Sequence, residues 1–333
     1  MRLGEIGEFE LIERISSILT RRCGGVMVGL GDDAAVVELG EVALILTADS
    51  LVEGVHFRLE THTPRQIGYK SLAVNLSDVA AMGGEPRYAL ISISLPERLT
   101  VEFVEEMYEG AEEIASRSGV TILGGDTTGS ESSLFISVAL LGECPKGEVI
   151  TRSGAREGDL IGITGTVGDS AAGLNLLSGL RVEGLAEEDA EYLRTRHLLP
   201  QPRLEAARRL ASLGVISSMI DVSDGVSSEV WHICRMSGVG AEVWGDELPL
   251  SDQLIRFARL WGGSPLDLAL NGGEDYELLF TFPPEALSEV EGELSRLGVR
   301  FTVVGRITPP DEGVRLIRRG EATPLKPGGF RHW

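Results

Sequence analysis

Carboxylates in this chain follow apolar strands or glycine turns, where an ordinary surface charge has no reason to lie. Asp32 and Asp33 follow a short strand, Asp49 follows VALILTA, and Asp126 follows ILGG. Two carboxylates about 4 Å apart repel by roughly 4 kcal/mol at an effective dielectric of 20, so a cluster of them requires cations. Oxygen ligands without Cys or His partners favour Mg²⁺ or Mn²⁺ over zinc.

Two further pairs have the spacing of one helix face or one turn. Asn75 and Asp78 are three residues apart in NLSD, and Asp221 and Asp224 are three apart in DVSDG. A single aspartate after a strand is usually a turn former or a helix cap. We expect Asp33 to play that role beside Asp32, and the other sites together to form a metal cluster.

Known nucleotide motifs do not account for these residues. GLGDDA has the G-x-G-x-x-A spacing, but two carboxylates would then face a pyrophosphate. Lys70-Ser71 follows tyrosine and is not a Walker A motif. TGTVGDSAAG can be either an anion site at a helix N-terminus or a tight strand–helix turn. Arg152, just before it, can pair with a phosphate or lie on the surface.

Two other residues are candidates for binding a substrate. Glu274, in the turn NGGEDY, can hold a cation or can simply be a hairpin acid. His56, in EGVHF, is a loop histidine that is either a ligand contact or a hydrogen-bonded structural residue.

The elements that must position these residues alternate between strands and helices in both halves of the chain. At 333 residues, two domains are expected, divided near Pro145-Lys146-Gly147 into residues 1–147 and 148–333. Helices are predicted over 8–20 and from Pro64 to Gly83, with strands at 42–48, 88–95, 120–123 and 160–164. Hairpin-like neighbours also occur, so the fold class is α/β with mixed sheets.

Composition excludes several classes of partner. Thirty basic against 51 acidic residues give a net charge of −21, which disfavours nucleic acid and anionic membranes. Cys23, Cys144 and Cys234 form neither a disulfide framework nor a zinc pattern, which favours a reducing cytoplasm. No apolar run approaches 18 residues, so no membrane span is expected.

Seven segments in a fixed order carry a resemblance to a known family. They are GDDAA, TADSLVEGVHF, NLSDVAAMGG, GGDTT, TGTVGDSAAGL, DVSDG and NGGEDYELLF. Together they resemble the thiamine-monophosphate kinases, in the ATP-binding superfamily that includes aminoimidazole ribonucleotide synthetase. The resemblance implies a two-domain fold whose N-terminal domains pair in a homodimer. It also implies ATP-dependent phosphorylation of thiamine monophosphate to thiamine diphosphate, with several Mg²⁺ ions.

Carried onto matching positions, the resemblance assigns three groups of residues. The implied metal shell is Asp32, Thr47, Asp49, Asp78, Asp126, Asp221 and Asp224. The implied ATP contacts are Tyr108, Gly125, Asp126, Arg152 and Ser223. The implied substrate contacts are His56, Glu274 and an aromatic near the C-terminus, Phe330 or alternatively Trp333. No catalytic base is expected, because the attacking phosphate oxygen is already anionic and no Lys or His is evident as a base.

Three alternatives remain at this level. The first is another enzyme of the superfamily, although the C-terminal Arg331-His332-Trp333 lacks a reactive cysteine and Cys23 lacks a neighbouring lysine. The second is a non-catalytic Mg²⁺–nucleotide-binding dimer, and the third is a purely structural acidic dimer. Calorimetry with ATP and product formation from thiamine monophosphate would separate them.

Overall fold

The computed structural model describes residues 8–19 and 24–329 of the chain. Two mixed sheets dominate it, one of six strands and one of seven, each covered by helices. This confirms the predicted α/β class. The elements of the first half are α1 (Glu8–Ile18), β1 (Val26–Val28), β2 (Ala35–Leu39), β3 (Val42–Val52), α2 (Pro64–Ala81), β4 (Glu85–Pro96), α3 (Val101–Ser118), β5 (Thr121–Ser130) and β6 (Phe135–Pro145).

The first sheet has the order β1-β2-β3-β6-β4-β5, in which only the β4–β5 pair is parallel. The strands predicted over 42–48, 88–95 and 120–123 are all longer in the structure. Asp49 lies inside β3, and Asp126 lies inside β5 instead of in the turn after it. The reason is that both polar continuations keep pairing with neighbouring strands, so the apolar runs mark only part of each strand.

Helix α2 is buried along nearly its whole length and anchors the first domain. It begins at a capping box between Thr63 and Gln66. It crosses α3 so closely that only glycine fits at position 68, where a Cβ would lie 1.7 Å from the Met107 carbonyl oxygen. Its far end, at Ala80, joins the core of the second half. Helix α2 therefore links the two domains.

The second half folds around the sheet β13-β12-β9-β11-β7-β10-β8. Its elements are β7 (Leu160–Thr164), α4 (Asp169–Leu177), α5 (Glu187–Leu198), α6 (Leu204–Leu213), β8 (Ser218–Asp221), α7 (Val226–Ser237), β9 (Gly240–Trp244), α8 (Asp252–Trp261), α9 (Pro265–Asn271), β10 (Leu278–Phe282), α10 (Leu287–Arg296), β11 (Phe301–Thr308), β12 (Val314–Arg318) and β13 (Glu321–Pro324). The predicted division at 147/148 falls in the segment that joins the two sheets. Within the described residues, no helix is long and apolar enough to cross a bilayer.

Candidate functional site

A cleft of about 1470 Å³ lies where the two halves of the chain meet. Strand β3 and helix α2 line one side, and helices α4 and α7 line the other. Among the described residues, three arginines contribute to its lining: Arg58, Arg152 and Arg235. Nine carboxylates of the same described part do so as well: Asp32, Asp33, Asp49, Asp78, Asp221, Asp224, Glu229, Asp267 and Glu274. An anionic ligand would therefore need additional cations to bind here.

Hydrogen bonds between α2 and β3 fix the N-terminal wall of the cleft. The Thr47 hydroxyl donates to Asp78 at 2.6 Å, and the backbone N–H of Asp49 donates to the Asn75 side chain at 3.0 Å. The i, i+3 spacing of Asn75 and Asp78 makes both contacts possible from one helix face. Asp49 and Asp78 thus face the same region of the cleft.

Three aspartates from three separate elements meet at the floor of the cleft. Carboxylate oxygens of Asp33, Asp78 and Asp221 all lie within 4.8 Å of one another. The Ser77 hydroxyl orients Asp221 with a 2.6 Å hydrogen bond, and one buried oxygen of Asp33 has no hydrogen-bond partner. We call Asp33, Asp78 and Asp221 the acidic triad. Its all-oxygen donor set is the kind that Mg²⁺ binds.

Burial of the acidic triad disfavours its negative charge. Burial, followed by the charge of Asp33, raises the pKa of Asp221 to about 8. Burial and the charges of Asp49 and Asp221 raise the pKa of Asp78 well above its usual value. Arg152 compensates only in part, through a 2.6 Å hydrogen bond to Asp33. A bound cation would relieve the remaining repulsion.

The two aspartates of the GDDAA turn exchange the roles that the sequence suggested. Asp32 accepts the backbone N–H groups of Asp33 and Arg152, each at 3.1 Å, and so behaves as the turn cap. Asp33 belongs to the acidic triad, and its side chain is 0% exposed. The cap role expected for Asp33 is therefore wrong. Gly31, at φ +108°, provides the left-handed turn that leads into this arrangement.

The C-terminal wall consists of two loops that hydrogen-bond side by side. The backbone N–H of Glu274 donates to the carbonyl of Ser223 at 2.7 Å, and that of Tyr276 donates to Val222 at 2.9 Å. Glu274 and Tyr276 have positive φ angles of 64° and 51°. Such backbone strain in residues other than glycine persists only where surrounding structure imposes it, and it clusters at functional sites. Ser223, Asp224 and Glu274 consequently share one edge of the cleft.

Two basic residues stand against Glu274, although the sequence showed neither of them there. Lys70 lies 3.0 Å from the Glu274 carboxylate, and His197 also lies 3.0 Å from it. His56 lines the same part of the cleft, with Nδ1 accepting the backbone N–H of Val52 at 3.0 Å.

The first turn of α4 does not offer a free anion site. The Asp275 carboxylate accepts the N–H of Gly168 at 2.6 Å and that of Ser170 at 3.1 Å. Burial of Asp275 raises its pKa to about 8 in spite of these bonds. Of the two interpretations of TGTVGDSAAG, the structure favours the tight internal turn.

Some predicted residues lie away from the cleft. Among the residues that the structure describes, its lining does not include Tyr108, Gly125 or Asp126. Gly125 and Asp126 are exposed on the edge strand β5. A Cβ at Gly125 would lie 1.7 Å from the Ile91 carbonyl oxygen, so close strand packing by itself requires this glycine. Phe330 and Trp333 lie outside the described residues.

Both halves of the chain match models of one protein family. Residues 31–144 match the N-terminal domain of the AIR synthase related proteins, and residues 156–317 match their C-terminal domain. Relatives named thiamine-monophosphate kinase span the whole chain. The one from Escherichia coli K12 is 39% identical over 98% of both chains, and that from Aquifex aeolicus is 38% identical over 100% of both.

Solved structures show the same arrangement. A protein named AaThiL, complexed with AMPPCP and TMP, is 37% identical and superposes with a TM-score of 0.86 over 100% of this chain and 99% of its own. A structure of the protein tt0281 from Thermus thermophilus is 30% identical, with a TM-score of 0.83 over 97% of this chain and 100% of its own.

Proposed function

The chain belongs to the thiamine-monophosphate kinases of the AIR synthase related family, and on that basis we propose that it transfers the terminal phosphoryl group of ATP to thiamine monophosphate. The full-length relatives carry this name. The related AaThiL was solved with AMPPCP, an analogue of ATP, and with TMP. The products are thiamine diphosphate and ADP.

One structural observation carries the proposal: the acidic triad on the floor of the cleft. ATP and thiamine monophosphate are both polyanions, and within the described part of the cleft nine carboxylates against three arginines repel them. The reaction is feasible in such a cleft only when metal ions accompany the phosphates. An acidic cleft can then bind two polyanions, because the cations arrive with the substrates.

The donor chemistry of the triad fits Mg²⁺. Its atoms are carboxylate oxygens, one Asp33 oxygen is buried without a hydrogen-bond partner, and the pKa of Asp221 is raised by burial and by the charge of Asp33. Mg²⁺ bound here would neutralise charge that develops on the transferring phosphoryl group. Asp33, Asp78 and Asp221 would hold it. Asp32, Thr47, Asp49 and Asp224 are the further proposed metal ligands, and so is Asp126, although it lies off the cleft within a single chain.

The chain's own contribution to the transfer is positioning. The acceptor is a phosphate oxygen of thiamine monophosphate that is anionic at pH 7, so no catalytic base has to remove a proton. Glu274 is the group suited to the cationic thiazolium, and His56 lies beside it, with Phe330 as the proposed aromatic contact. The proposed nucleotide contacts are Tyr108, Gly125, Asp126, Arg152 and Ser223.

We also propose a homodimer formed through the open face of the first sheet. Helices α2 and α3 lie on its opposite face. Rows of side chains cross the strands on the open face, and Leu46, Tyr88 and Leu90 are 40 to 49% exposed there. A second copy can cover this apolar face with the same face of its own sheet, as two-fold symmetry requires. The edge strand that carries Asp126 belongs to this sheet, so pairing would alter its surroundings.

The experiment is incubation with Mg²⁺–ATP and either thiamine or thiamine monophosphate, with thiamine diphosphate measured by chromatography. We expect product from the monophosphate and a dependence on Mg²⁺. ATP binding without product would instead indicate a non-catalytic nucleotide-binding protein. We propose a cytoplasmic location, which the buried free thiols of Cys144 and Cys234 support.

A further inference from the structure

Lys70 is a buried cation at the junction of the two domains. It lies on α2, and its side chain is only 1% exposed. Burying an ammonium group is costly unless each of its donors finds an acceptor. Three acceptors surround Nζ: the Glu274 carboxylate at 3.0 Å, Nε2 of His197 at 3.4 Å and the carbonyl oxygen of His56 at 3.5 Å.

His197 completes this arrangement as a neutral imidazole. Burial, and then the positive charge of Lys70, lowers the pKa of His197 well below its usual value. Because Nε2 faces the Lys70 ammonium, it serves as the acceptor and the proton resides on Nδ1. Nδ1 lies 3.0 Å from Glu274 and 3.0 Å from the Ser170 hydroxyl. Glu274 thus accepts a hydrogen bond from Lys70 and lies against the Nδ1 edge of the buried His197 ring.

The contacts of Lys70 join the two proposed substrate contacts. The His56 loop belongs to the first domain and Glu274 to the second, 204 residues from Lys70 in sequence. The Glu274 side chain retains 24% exposure and lines the cleft. Its backbone is held at φ +64°, so its carboxylate depends on surrounding contacts for its orientation.

We propose that Lys70 is a positioning residue for the cation-binding part of the substrate site. It holds the Glu274 carboxylate against the His56 loop, so that one face of the carboxylate is left for the substrate's positive charge. Lys70 itself touches neither substrate, and its effect is confined to the acceptor substrate. This inference rests on the proposed function, since Glu274 is assigned to the substrate there.

The test is a double-mutant cycle of Lys70→Met, Glu274→Gln and the pair together, with kcat and the KM of each substrate measured. We expect each single variant to raise the KM for thiamine monophosphate by about ten- to a hundredfold, the range for a charge-assisted contact. The KM for ATP should stay unchanged. The double variant should have a KM for thiamine monophosphate no higher than that of Glu274→Gln, because Lys70 acts through Glu274.

Lys146→Met, which removes a surface lysine paired with Glu38, is the matched control and should leave both KM values unchanged.

Thermal unfolding of each variant separates positioning from folding. Lys70→Met leaves the half-buried Glu274 charge beside His197 without its cation and should lower Tm, whereas the double variant removes both charges and should recover it. If Lys70→Met does not fold, the double variant is compared with Glu274→Gln. An equal KM for thiamine monophosphate in the two supports the inference, and a higher KM in the double variant overturns it.

Other outcomes also decide. The role of Lys70 is overturned, while the kinase activity stands, if the effects of the two substitutions on the KM for thiamine monophosphate multiply in the double variant. An equal rise in the KM for ATP overturns it too. An unchanged KM in Glu274→Gln overturns it as well. A wild-type chain that forms no thiamine diphosphate overturns the proposed function, and the inference with it.

Discussion

The Asp33 carboxylate accepts a 2.6 Å hydrogen bond from the Arg152 guanidinium across the junction of the two domains. The Arg152 side chain is 18% exposed and that of Asp33 is 0% exposed, so little water screens the pair. Burial by itself would lower the pKa of Arg152, but the charge of Asp33 and their hydrogen bond raise it above its usual value. The backbone N–H of Arg152 also donates to Asp32. Arg152 is therefore the cation that holds the GDDAA turn in place.

This pairing separates the effects of Asp33→Asn and Asp32→Asn. Asparagine at 33 still accepts from Arg152 but brings no charge to the acidic triad, so we expect it to raise the Mg²⁺ concentration for half-maximal rate by about tenfold or more. Asp32→Asn keeps an oxygen for the two backbone donors, so it should raise this Mg²⁺ concentration less. Titration of the rate with Mg²⁺ at saturating ATP measures both variants. A larger increase in Asp32→Asn would instead support the assignment expected from sequence, in which Asp32 is the metal ligand and Asp33 the cap.

A graded series tests the support of Asp78 by Thr47. Asp78→Ala should abolish phosphoryl transfer and leave the fold intact, because it removes a carboxylate from the triad. Thr47→Val removes only the hydroxyl that orients Asp78, so we expect a loss of about 10- to 100-fold in kcat/KM. Thr47→Ser keeps the hydroxyl and serves as the control. Wild-type turnover by Asp78→Ala at saturating Mg²⁺ would contradict the metal role of the triad.

Local sequence patterns found most of the aspartates that line the cleft, but not how these aspartates pair. Asp49 was recognised because it follows an apolar strand, and Asp78 and Asp221 because each has a polar partner three residues away. Which of Asp32 and Asp33 caps the turn could not be predicted, because that depends on the backbone N–H of Arg152, 120 residues away. No local pattern reports a contact at that separation.

Contacts between the domains escaped prediction for the same reason. The sequence showed only that Lys70 is not part of a Walker A motif, and its contact with Glu274 comes from the other domain. Gly168 and Asp275 are 107 residues apart, and the α4 turn taken separately could be either an anion site or a tight turn. Strand lengths were underestimated where polar residues continue an apolar strand, as at Asp126 in β5. The fold class was accessible because alternation of strands and helices is a local property.

The Asp275 side chain gives a prediction about stability. Asp275→Ala leaves the buried N–H groups of Gly168 and Ser170 without acceptors, so we expect a loss of about 1–3 kcal/mol in the free energy of unfolding. Asp275→Asn retains one acceptor oxygen and should lose less. Urea denaturation of both variants measures this difference, and a loss in Asp275→Ala that is no larger than in Asp275→Asn would argue against the capping role.

The proposed homodimer is tested by Leu90→Glu. The substitution places a charge in the middle of the open sheet face, so we expect sedimentation to report a monomer. Activity should fall as well, because the proposed ATP contacts Gly125 and Asp126 lie off the cleft within a single chain. Leu260→Glu, at a leucine on α8 that is 47% exposed, is the matched control. A wild-type protein that is monomeric at micromolar concentration would refute the dimer.

Stability should depend on pH in a way that Mg²⁺ suppresses. The pKa of Asp221 is about 8 in the folded protein against an ordinary value of 3.8, so between these the folded state binds the extra proton and stability falls as pH rises. Burial lowers the pKa of His62 and His232 to about 4, which gives the opposite slope below 6.5. The opposing slope of the histidines fades above their ordinary value of 6.5, so the raised carboxyls dominate the window from pH 6.5 to 8. We expect Tm with EDTA to fall across it, and saturating Mg²⁺ to raise Tm by a few degrees, most at the upper end of the window.

The control for this experiment is Asp221→Asn. It should flatten part of the slope measured with EDTA and reduce the response to Mg²⁺, because it removes both the titrating group and one ligand of the triad. Asp275, whose pKa is also about 8, keeps its share of the slope in every condition, since its oxygens accept from Gly168 and Ser170 and lie outside the triad. A Tm response to Mg²⁺ as large in Asp221→Asn as in the wild type would place the cation elsewhere.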